Sequence, residues 1–555
     1  MDEIQNLLQD AVGRAYPEYN DIKLELTMPE AQFGDYASNI ALQLGKKQGK
    51  NPREIAQEII DNIPKNSIIE RAEIAGPGFI NIVLKDNKLR EFLNRVIQNK
   101  LTSPKEFKQK TVVVETNNPN PFKAMHIGHA FNAILGDTIA NLLELNGAKA
   151  HRVSYHGDVG AHVGKSMYSL LKFVNNDPQK LEGIPKNERN TFMSKMYAEG
   201  AKAYKDDPQA KKEIDKLSEE SFEPKDKIYR QVYETCRAWS FEQIDELVAQ
   251  LGNKPTQKRY LESKAEELGV KIVNQYEGKV FIRSQGALVF PGEKYGSFDN
   301  VFVGSNGRGL YGARDLGLIQ LKQQDFDPDY SYIITAEEQK NYFVGVIKAA
   351  KLCFLESKDT TINIPHGTVK LSTGKMSSRD GDVLEVAWLF DKIRQAIKAR
   401  GGVDNDEVVQ GALRYQFLKV RIGSDVVFDV DQSVSLDGNT GPYLQYAHAR
   451  ACSILANKTN KPPKLYNTEF TEQERTLLRK LHQYPDIEIR AARELMPHYI
   501  CTYLFELAQE FNRFYEKNRV IGDDRQAIRL TLLSGYVGIL KRGLEVLGIP
   551  APQKM

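Results

Sequence analysis

The sequence predicts an α/β protein: a Rossmann-like, parallel-sheet catalytic domain with an insertion, a small α+β domain before it and an all-α domain after it. Strand-like runs alternate with helical stretches in the middle of the chain, and from about residue 405 only helical periodicity remains. The 555 residues are enough for three or four domains of roughly 150 residues each. The three predicted domains span residues 1–108, residues 109–400 with the insertion at about 165–290, and residues 401–555.

The first predicted domain mixes helix and strand. Ile4, Leu7, Leu8 and Val12 fall on one helical face, which predicts an amphipathic helix at the start. Further on, Gly76-Pro-Gly-Phe-Ile-Asn81 reads as a turn followed by a strand. Because side chains alternate along a strand, Phe79 and Asn81 are expected on one face.

The composition is that of an ordinary soluble globular protein, with 41% apolar and 27% charged residues. A net charge of only +3 gives no global signature of nucleic-acid binding, so a polyanionic partner would need local basic patches. The four cysteines form no CxxC pair, which argues against a cysteine zinc site and against disulfides. Neither a secretory leader nor a run of about 18 apolar residues is visible, so we expect a cytoplasmic protein that does not enter membranes.

The catalytic domain begins with a strand, Thr111-Val-Val-Val-Glu115, that leads into His126-Ile-Gly-His129 and then into a helical stretch. A strand-to-helix junction is where a doubly wound sheet binds phosphates, because the helix start offers free backbone N–H groups. Two imidazoles add directed donors, Gly128 lets a flat group approach the backbone, and Lys123 adds a positive charge.

A second motif, Gly374-Lys-Met-Ser-Ser-Arg379, lies far downstream in a predicted loop that carries cations and hydroxyls. Such a loop can close over a triphosphate. Neither motif holds an acid–base pair or an obvious nucleophile. The pair therefore indicates catalysis by positioning and charge, as in nucleotidyl transfer.

On local grounds, other interpretations stay open. His126 and His129 could cap a helix or line a core, and with His156 and His162 they raise the question of zinc, although HExxH spacing is absent. We expect no metal site, and we expect His156 to line the floor of the active site. Glu115 could stabilise a turn. Phe79 could belong to a core, and the downstream loop could be an ordinary solvated one.

These motifs together resemble class I aminoacyl-tRNA synthetases: His126–His129 matches HIGH, and Lys375-Met-Ser-Ser-Arg379 matches KMSKS. More closely, the chain resembles the arginyl-tRNA synthetase family. That resemblance rests on Tyr311-Gly-Ala-Arg-Asp315, on Gly411-Ala-Leu-Arg414 as a variant of DALR, and on several further segments. These are Glu115–Asn120, Lys123, Glu338-Gln339, Thr440–Arg450, the final Lys-Met, and Gly34–Ala41 with Gly78–Asn81 near the N-terminus.

The resemblance implies an arginine–tRNA ligase. It would activate L-arginine with ATP to arginyl-adenylate, release pyrophosphate, and pass the arginyl group to the terminal adenosine of tRNA(Arg), initially to its 2′-OH. ATP would enter with Mg²⁺ as the substrate complex, with no permanent cofactor. We expect a monomer, and the resemblance implies an activation step that depends on bound tRNA.

The resemblance also assigns roles to individual residues. The catalytic set is His126, His129, Lys123 and Lys375. The ATP-binding set is Asn120, His126, Gly128, His129, Lys375, Met376 and Ser377. The arginine-binding set is Glu115, Asn120, Tyr311, Asp315, Gln339 and, on a looser alignment, Glu262. Asp315 is the leading candidate for the guanidinium, which favours a carboxylate held through two hydrogen bonds. Phe79 and Asn81 would stack on and hydrogen-bond a splayed tRNA base.

One position departs from the family pattern. Ser378 stands where KMSKS has its second lysine, and Lys123 is expected to supply the missing charge, with Arg379 as a possible partner. Three rival functions remain open: a class I synthetase for another amino acid, a non-catalytic RNA-binding relative, and a zinc hydrolase.

Overall fold

The computed structural model describes residues 2–103, 105–358, 360–372, 384–456 and 469–555. The N-terminal part is a four-stranded antiparallel sheet, order β1-β2-β4-β3, packed against helices. Its elements are α1 (Asp2–Ala15), β1 (Leu26–Thr27), β2 (Tyr36–Ser38), α2 (Ile40–Gln48), α3 (Pro52–Asp61), β3 (Ile69–Ala75), β4 (Phe79–Leu84) and α4 (Asp86–Ile97). Ile4, Leu8 and Val12 are buried in its core, as their helical spacing predicts.

The central part contains a five-stranded parallel sheet, order β12-β11-β5-β6-β7. Its strands and first helix are β5 (Thr111–Asn117), α5 (Ile127–Leu145), β6 (Lys149–His156), β7 (Lys258–Leu261), β11 (Tyr330–Ala336) and β12 (Thr360–His366). The chain runs outward from β5 through β6 and β7, then returns to β11 on the other side. The carboxyl end of β5 is therefore the point where the strand order reverses, and ligands bind at such points in open α/β sheets.

Both faces of this sheet are covered, so its strands are apolar on both sides. Val112 and Val114 share a core cluster with α5, while Val113 packs with residues of the helices on the opposite face. Those helices are α10 (Glu262–Gln275) and α11 (Tyr311–Phe326), and α12 (Lys340–Cys353) follows β11.

The insertion is helical, as its charged sequence predicts. It comprises most of α6 (Ala161–Val174) together with α7 (Arg189–Asp206), α8 (Pro208–Glu220) and α9 (Lys227–Gln250). However, β7 and α10 fall inside the range 165–290 and belong to the main α/β layers. The short run Lys258-Arg-Tyr-Leu261 has no strong strand pattern of its own, and pairing with β6 makes it a strand.

A second, small sheet lies between α10 and α11. It is antiparallel, order β10-β9-β8, and consists of β8 (Ile282–Ser284), β9 (Ala287–Phe290) and β10 (Asn300–Val303). Its core of Phe281, Phe290 and Phe302 is continuous with residues of α10, α11 and α12. The small sheet therefore stabilises the helices that carry the acidic side of the site.

The C-terminal part is helical, which confirms the predicted fold class. Its elements are α13 (Val386–Ala399), α14 (Asp406–Leu418), α15 (Val430–Ser433), α16 (Gly441–Ala456), α17 (Glu472–His482), α18 (Tyr484–Glu494), α19 (His498–Lys517) and α20 (Gln526–Val546). One strand, β14 (Val426–Phe428), interrupts the helices and pairs in parallel with β13 (Val369–Leu371). No described helix is long and apolar enough to cross a bilayer.

Arg414 joins three parts of the chain in a fully buried polar junction. Its guanidinium bonds Asp137 of α5 at 2.9 Å, the carbonyl of Leu251 after α9 at 3.0 Å and the carbonyl of Leu547 after α20 at 2.8 Å. A side chain at Gly548, where φ is +68°, would collide with the guanidinium. The arginine of the DALR-like segment is thus a structural link between domains, and a buried charge of this kind requires all its partners.

Candidate active site

A cleft of about 990 Å³ opens at the carboxyl ends of β5, β6 and β11. Nine of the predicted site residues line it: Glu115, Asn120, His126, Gly128, His129, Glu262, Tyr311, Asp315 and Gln339. The chain brings them together from β5, the start of α5, the start of α10, the start of α11 and the turn before α12. Lys375, Met376 and Ser377 lie outside the described residues.

His126 and His129 cap the start of α5 reciprocally. The backbone N–H of His129 donates to Nδ1 of His126 at 3.4 Å, and the N–H of His126 donates to Nδ1 of His129 at 3.3 Å. The rings stack with centroids 3.6 Å apart. Because each Nδ1 is an acceptor, each neutral ring carries its proton on Nε2. The capping interpretation and the ligand-binding one are therefore compatible, since capping leaves one directed donor per ring.

Both histidines are neutral at physiological pH. Burial, with Lys123 nearby, lowers the pKa of His126 to about 4. Burial, with His126 as a close neighbour, holds the pKa of His129 well below its usual range. The site therefore offers hydrogen-bond donors to an anion at this end, and the positive charge must come from lysines.

Gly128 fits its predicted role for a further reason. A Cβ atom at Gly128 would lie 3.1 Å from Cε1 and Nδ1 of His126. The missing side chain therefore leaves room both for a ligand and for the stacked His126 ring.

The opposite end of the cleft is acidic. Asp315, on the second turn of α11, accepts a hydrogen bond from the Tyr342 hydroxyl. Burial, together with the nearby Glu115 and Glu262 carboxylates, raises the pKa of Asp315 to about 7. No cation pairs with Asp315 within the described part of the chain. A bound cation would supply the missing countercharge.

The other two carboxylates at this end are already paired. Nζ of the fully buried Lys322 lies 2.7 Å from Glu115, and Arg314 lies 2.6 Å from Glu262. Lys322 lies two helical turns after Asp315, so both face the same side of α11. The predicted arginine-binding carboxylates thus differ: Asp315 is unpaired, whereas Glu115 and Glu262 each have an internal cation.

Several cleft residues have no substrate-binding role predicted from the sequence: Tyr155, His162, Lys165, Arg314 and Tyr342. Tyr155 precedes the end of β6, and its buried hydroxyl has no partner among the described residues. Helical spacing from Asp315 could have indicated Lys322. No local pattern indicates that Tyr342, one helix later, reaches Asp315.

The four histidines do not gather into a metal site. His156 is fully buried beneath the cleft and bonds the Pro119 carbonyl, whereas His162 bonds the Gly157 carbonyl at 2.8 Å. His156 was expected to line the active-site floor and instead lies below it, because its ring turns toward the Pro119 carbonyl and Phe241. Among the described residues, no group of three or more metal-binding side chains converges.

The predicted tRNA-contacting pair lies on β4 in the N-terminal sheet. Phe79 is 38% exposed, so its ring is available for stacking and does not belong to the core. Asn81 is only 8% exposed, between β2 and β3.

Comparison with protein families matches the chain from end to end. Residues 2–84 match the arginyl tRNA synthetase N terminal domain, residues 92–424 the class I (R) tRNA synthetase catalytic domain, and residues 444–555 the DALR anticodon binding domain. The arginine–tRNA ligase of Crocosphaera subtropica is 30% identical over 100% of this chain and 99% of its own length.

The chain belongs to the arginyl-tRNA synthetase family.

Other arginyl-tRNA synthetases agree in sequence and in fold. The arginine–tRNA ligase of Idiomarina loihiensis is 28% identical, and the match covers the whole of both chains. The solved arginyl-tRNA synthetase of Thermus thermophilus superposes with a TM-score of 0.79 over 99% of this chain and 100% of its own, at 22% identity. The solved arginyl-tRNA synthetase of Plasmodium falciparum superposes with a TM-score of 0.82 over 100% of this chain and 99% of its own, at 21% identity.

Proposed function

We propose that this cleft carries out the arginine–tRNA ligase reaction by binding arginine at its acidic end and ATP at its histidine end. Asp315 carries the proposal, because it is the one carboxylate of Glu115, Glu262 and Asp315 that has no cation within the described residues. A guanidinium is planar and presents paired N–H donors to a carboxylate. Arginine bound there would both neutralise Asp315 and fill the acidic end.

The other residues at the acidic end would orient the amino acid. Tyr342 holds the Asp315 carboxylate, and Lys322 holds Glu115 in place. The Asn120 amide oxygen accepts a hydrogen bond from the Gly157 backbone at 2.9 Å, which leaves its NH₂ group for a ligand. Tyr311 and Gln339 lie exposed at the rim, where they can contact arginine as it enters.

In the first step the α-carboxylate of arginine attacks the α-phosphorus of ATP. A C(O)–O–P bond forms, the bond from that phosphorus to the bridging oxygen breaks, and pyrophosphate leaves. The substrate carboxylate is itself the nucleophile, so the protein has to align the reactants and stabilise the growing charge. The Nε2–H groups of His126 and His129 would donate to the phosphates, Lys123 would add charge, and Gly128 would lie beneath the adenosine.

We also propose that Lys375, Met376 and Ser377 contact the nucleotide, as KMSKS residues do in this family, and that Mg²⁺ enters bound to ATP. Magnesium would add charge to the phosphate end without needing a protein cage.

In the second step the 2′-OH of the terminal adenosine attacks the arginyl carbonyl, and AMP leaves. The family match implies anticodon binding by the C-terminal helices. We propose that Phe79 stacks on an unpaired tRNA base and that Asn81 hydrogen-bonds it.

We also propose that the chain divides into domains at 1–108, 109–400 and 401–555, and that it acts as a cytoplasmic monomer. Light scattering on the purified protein tests the monomer.

The test is Asp315→Asn in arginine-dependent ATP–pyrophosphate exchange at saturating tRNA. We expect the arginine KM to rise roughly 10²-fold or more, since two charge-assisted hydrogen bonds weaken, while the ATP KM stays nearly constant. Asp325→Asn is the matched control, because Asp325 lies on the same helix and bonds Tyr260 and Lys258 away from the cleft. Equal increases in both KM values would mean that Asp315 only supports the fold. Exchange driven by lysine or cysteine in place of arginine would overturn the assignment.

A further inference from the structure

Helix α7 of the insertion touches the wall of the cleft directly. A Cβ atom at Gly200 would lie 1.9 Å from the carbonyl oxygen of Lys165, so the two helices meet backbone to backbone. Where α6 meets α8, a Cβ atom at Gly164 would lie 2.0 Å from Oγ of Ser218. Glycines at both crossings bring α7 and α8 unusually close to the first turns of α6. This packing places α7 directly behind Lys165, which lines the cleft.

Two tyrosines of α7 lie about one turn on either side of that crossing, and each lies under a lysine. Nζ of Lys123 is 6.0 Å from the ring centroid of Tyr197, and Nζ of Lys165 is 4.9 Å from that of Tyr204. Lys211 of α8 shares the Tyr204 ring at 5.4 Å. An aromatic face attracts an ammonium group without neutralising it.

Neither Lys123 nor Lys165 forms an ion pair with any carboxylate that the structure describes. Lys165 lines the cleft beside His162, and Lys123 directly precedes the histidine motif. Burial lowers the pKa of His162 to about 4, and Lys123 and Lys165 are both close enough to add to that shift. Lys165 thus brings positive charge into the cleft lining, and Lys123 lies near the same histidine without lining the cleft.

The downstream motif gives Lys165 more weight. Ser378 stands where the family pattern has its second lysine, so the charge of that lysine is missing at that position. Lys165 belongs to neither sequence motif. It lies on the second turn of α6, and its position depends on the insertion.

We propose that Lys165 is a second phosphate-binding cation of the cleft, and that helix α7 positions both Lys165 and Lys123 through Tyr204 and Tyr197. The inference deepens the proposed function and rests on it. The phosphate is either that of ATP, including the departing pyrophosphate, or that of the tRNA 3′ end as it enters the same cleft. Both are oxyanions that accept hydrogen bonds from an ammonium group.

The first test compares Lys165→Met with Lys172→Met. Lys172 is the matched control, because it lies on the same helix over the Tyr168 ring at 3.7 Å but outside the cleft. If Lys165 binds ATP phosphates, its variant raises the ATP KM or lowers the exchange rate roughly tenfold or more at saturating tRNA. If it binds the tRNA end, exchange is kept and the tRNA KM of aminoacylation rises by a similar factor. No change in either assay, relative to Lys172→Met, overturns the proposal.

The second test addresses the positioning by α7. Tyr204→Phe keeps the aromatic face and should retain activity, whereas Tyr204→Leu should reproduce part of the Lys165→Met defect, roughly two- to fivefold. Equal behaviour of Phe and Leu would refute the role of the ring. His129→Ala separates this inference from the proposed function. If His129→Ala impairs exchange and Lys165→Met changes neither assay, only this inference fails. If neither variant changes either assay, the ATP phosphates do not bind at the histidine end, and the proposed function fails as well.

Discussion

Arginine binding should depend on pH through Asp315. Its pKa of about 7 means that about one carboxyl group in eleven is ionised at pH 6, and about ten in eleven at pH 8. A guanidinium binds the ionised form of Asp315, so arginine binding releases a proton from those molecules in which Asp315 is protonated. The arginine KM should therefore rise about tenfold from pH 8 to pH 6, which is about 1.4 kcal/mol of binding free energy.

The sign follows from the direction of the shift. Because the pKa of Asp315 is raised, its carboxyl group becomes protonated as the pH falls from 8 to 6. Arginine binds the ionised carboxylate, so it must then displace that proton. The ATP KM provides an internal control, because the pKa of His126 is about 4 and this ring stays neutral from pH 6 to pH 8. ATP–pyrophosphate exchange at saturating tRNA gives both KM values. Calorimetry in two buffers of different ionisation enthalpy counts the released proton. A flat arginine KM, or a slope that persists in Asp315→Asn, would refute the reasoning.

Three further changes test other parts of the molecule. His129→Ala should lower the activation rate by roughly 10²–10³, about 2.7–4 kcal/mol, because a charge-stabilising donor is lost; single-turnover adenylate formation measures it, and an unchanged rate would contradict the role. Glu115→Gln should destabilise the protein by roughly 3–5 kcal/mol, since Lys322 is left buried without its partner. Adding Lys322→Met should restore much of that loss in urea unfolding, and a double variant no more stable than the single one would argue against an ion-pair effect. Arg414→Met should lower the thermal midpoint by several degrees and expose the domain junction to protease, because Asp137 and the facing carbonyls lose their donor; unaltered proteolysis would show that the junction holds without it.

The sequence alone predicts the layers of the fold and the part of the site that a single continuous segment supplies. The strand before His126 and the helix after it form one continuous segment, so their motif could be located from spacing alone. Asp315 could be placed only through the family resemblance, because its neighbours come from distant parts of the chain. The carboxylates that add to the effect of burial on its pKa lie on β5 and α10, and its hydrogen-bond donor Tyr342 lies on α12. Whether a carboxylate is paired depends on tertiary packing, so the sequence alone does not indicate that Glu115 has a cation partner whereas Asp315 has none among the described residues.

The strand Lys258–Leu261 was assigned to the insertion for a related reason. Among the described residues, the one strand that pairs with it is β6, which lies about a hundred residues earlier. Likewise, the charged helices of the insertion read as a solvated surface, since nothing in their periodicity indicates that Gly200 brings α7 against the cleft. The lysine–tyrosine contacts become visible only once that crossing is known.

The Arg414 junction has a consequence for how the protein is made. Its last acceptor is the carbonyl of Leu547, and the nearby carbonyls of Pro550 and Pro552 accept bonds from Gln445 and His448 on α16. These carbonyls are synthesised well over a hundred residues after the sheet strands. Strands β5 to β12 can assemble during synthesis, but the contact between that sheet and the C-terminal helices is completed only once Leu547 has emerged. A nascent chain that stops before Leu547 would hold Arg414 beside Asp137 with part of its hydrogen bonding unmet. Any sequence fused after Pro552 must therefore leave Leu547, Pro550 and Pro552 free to dock.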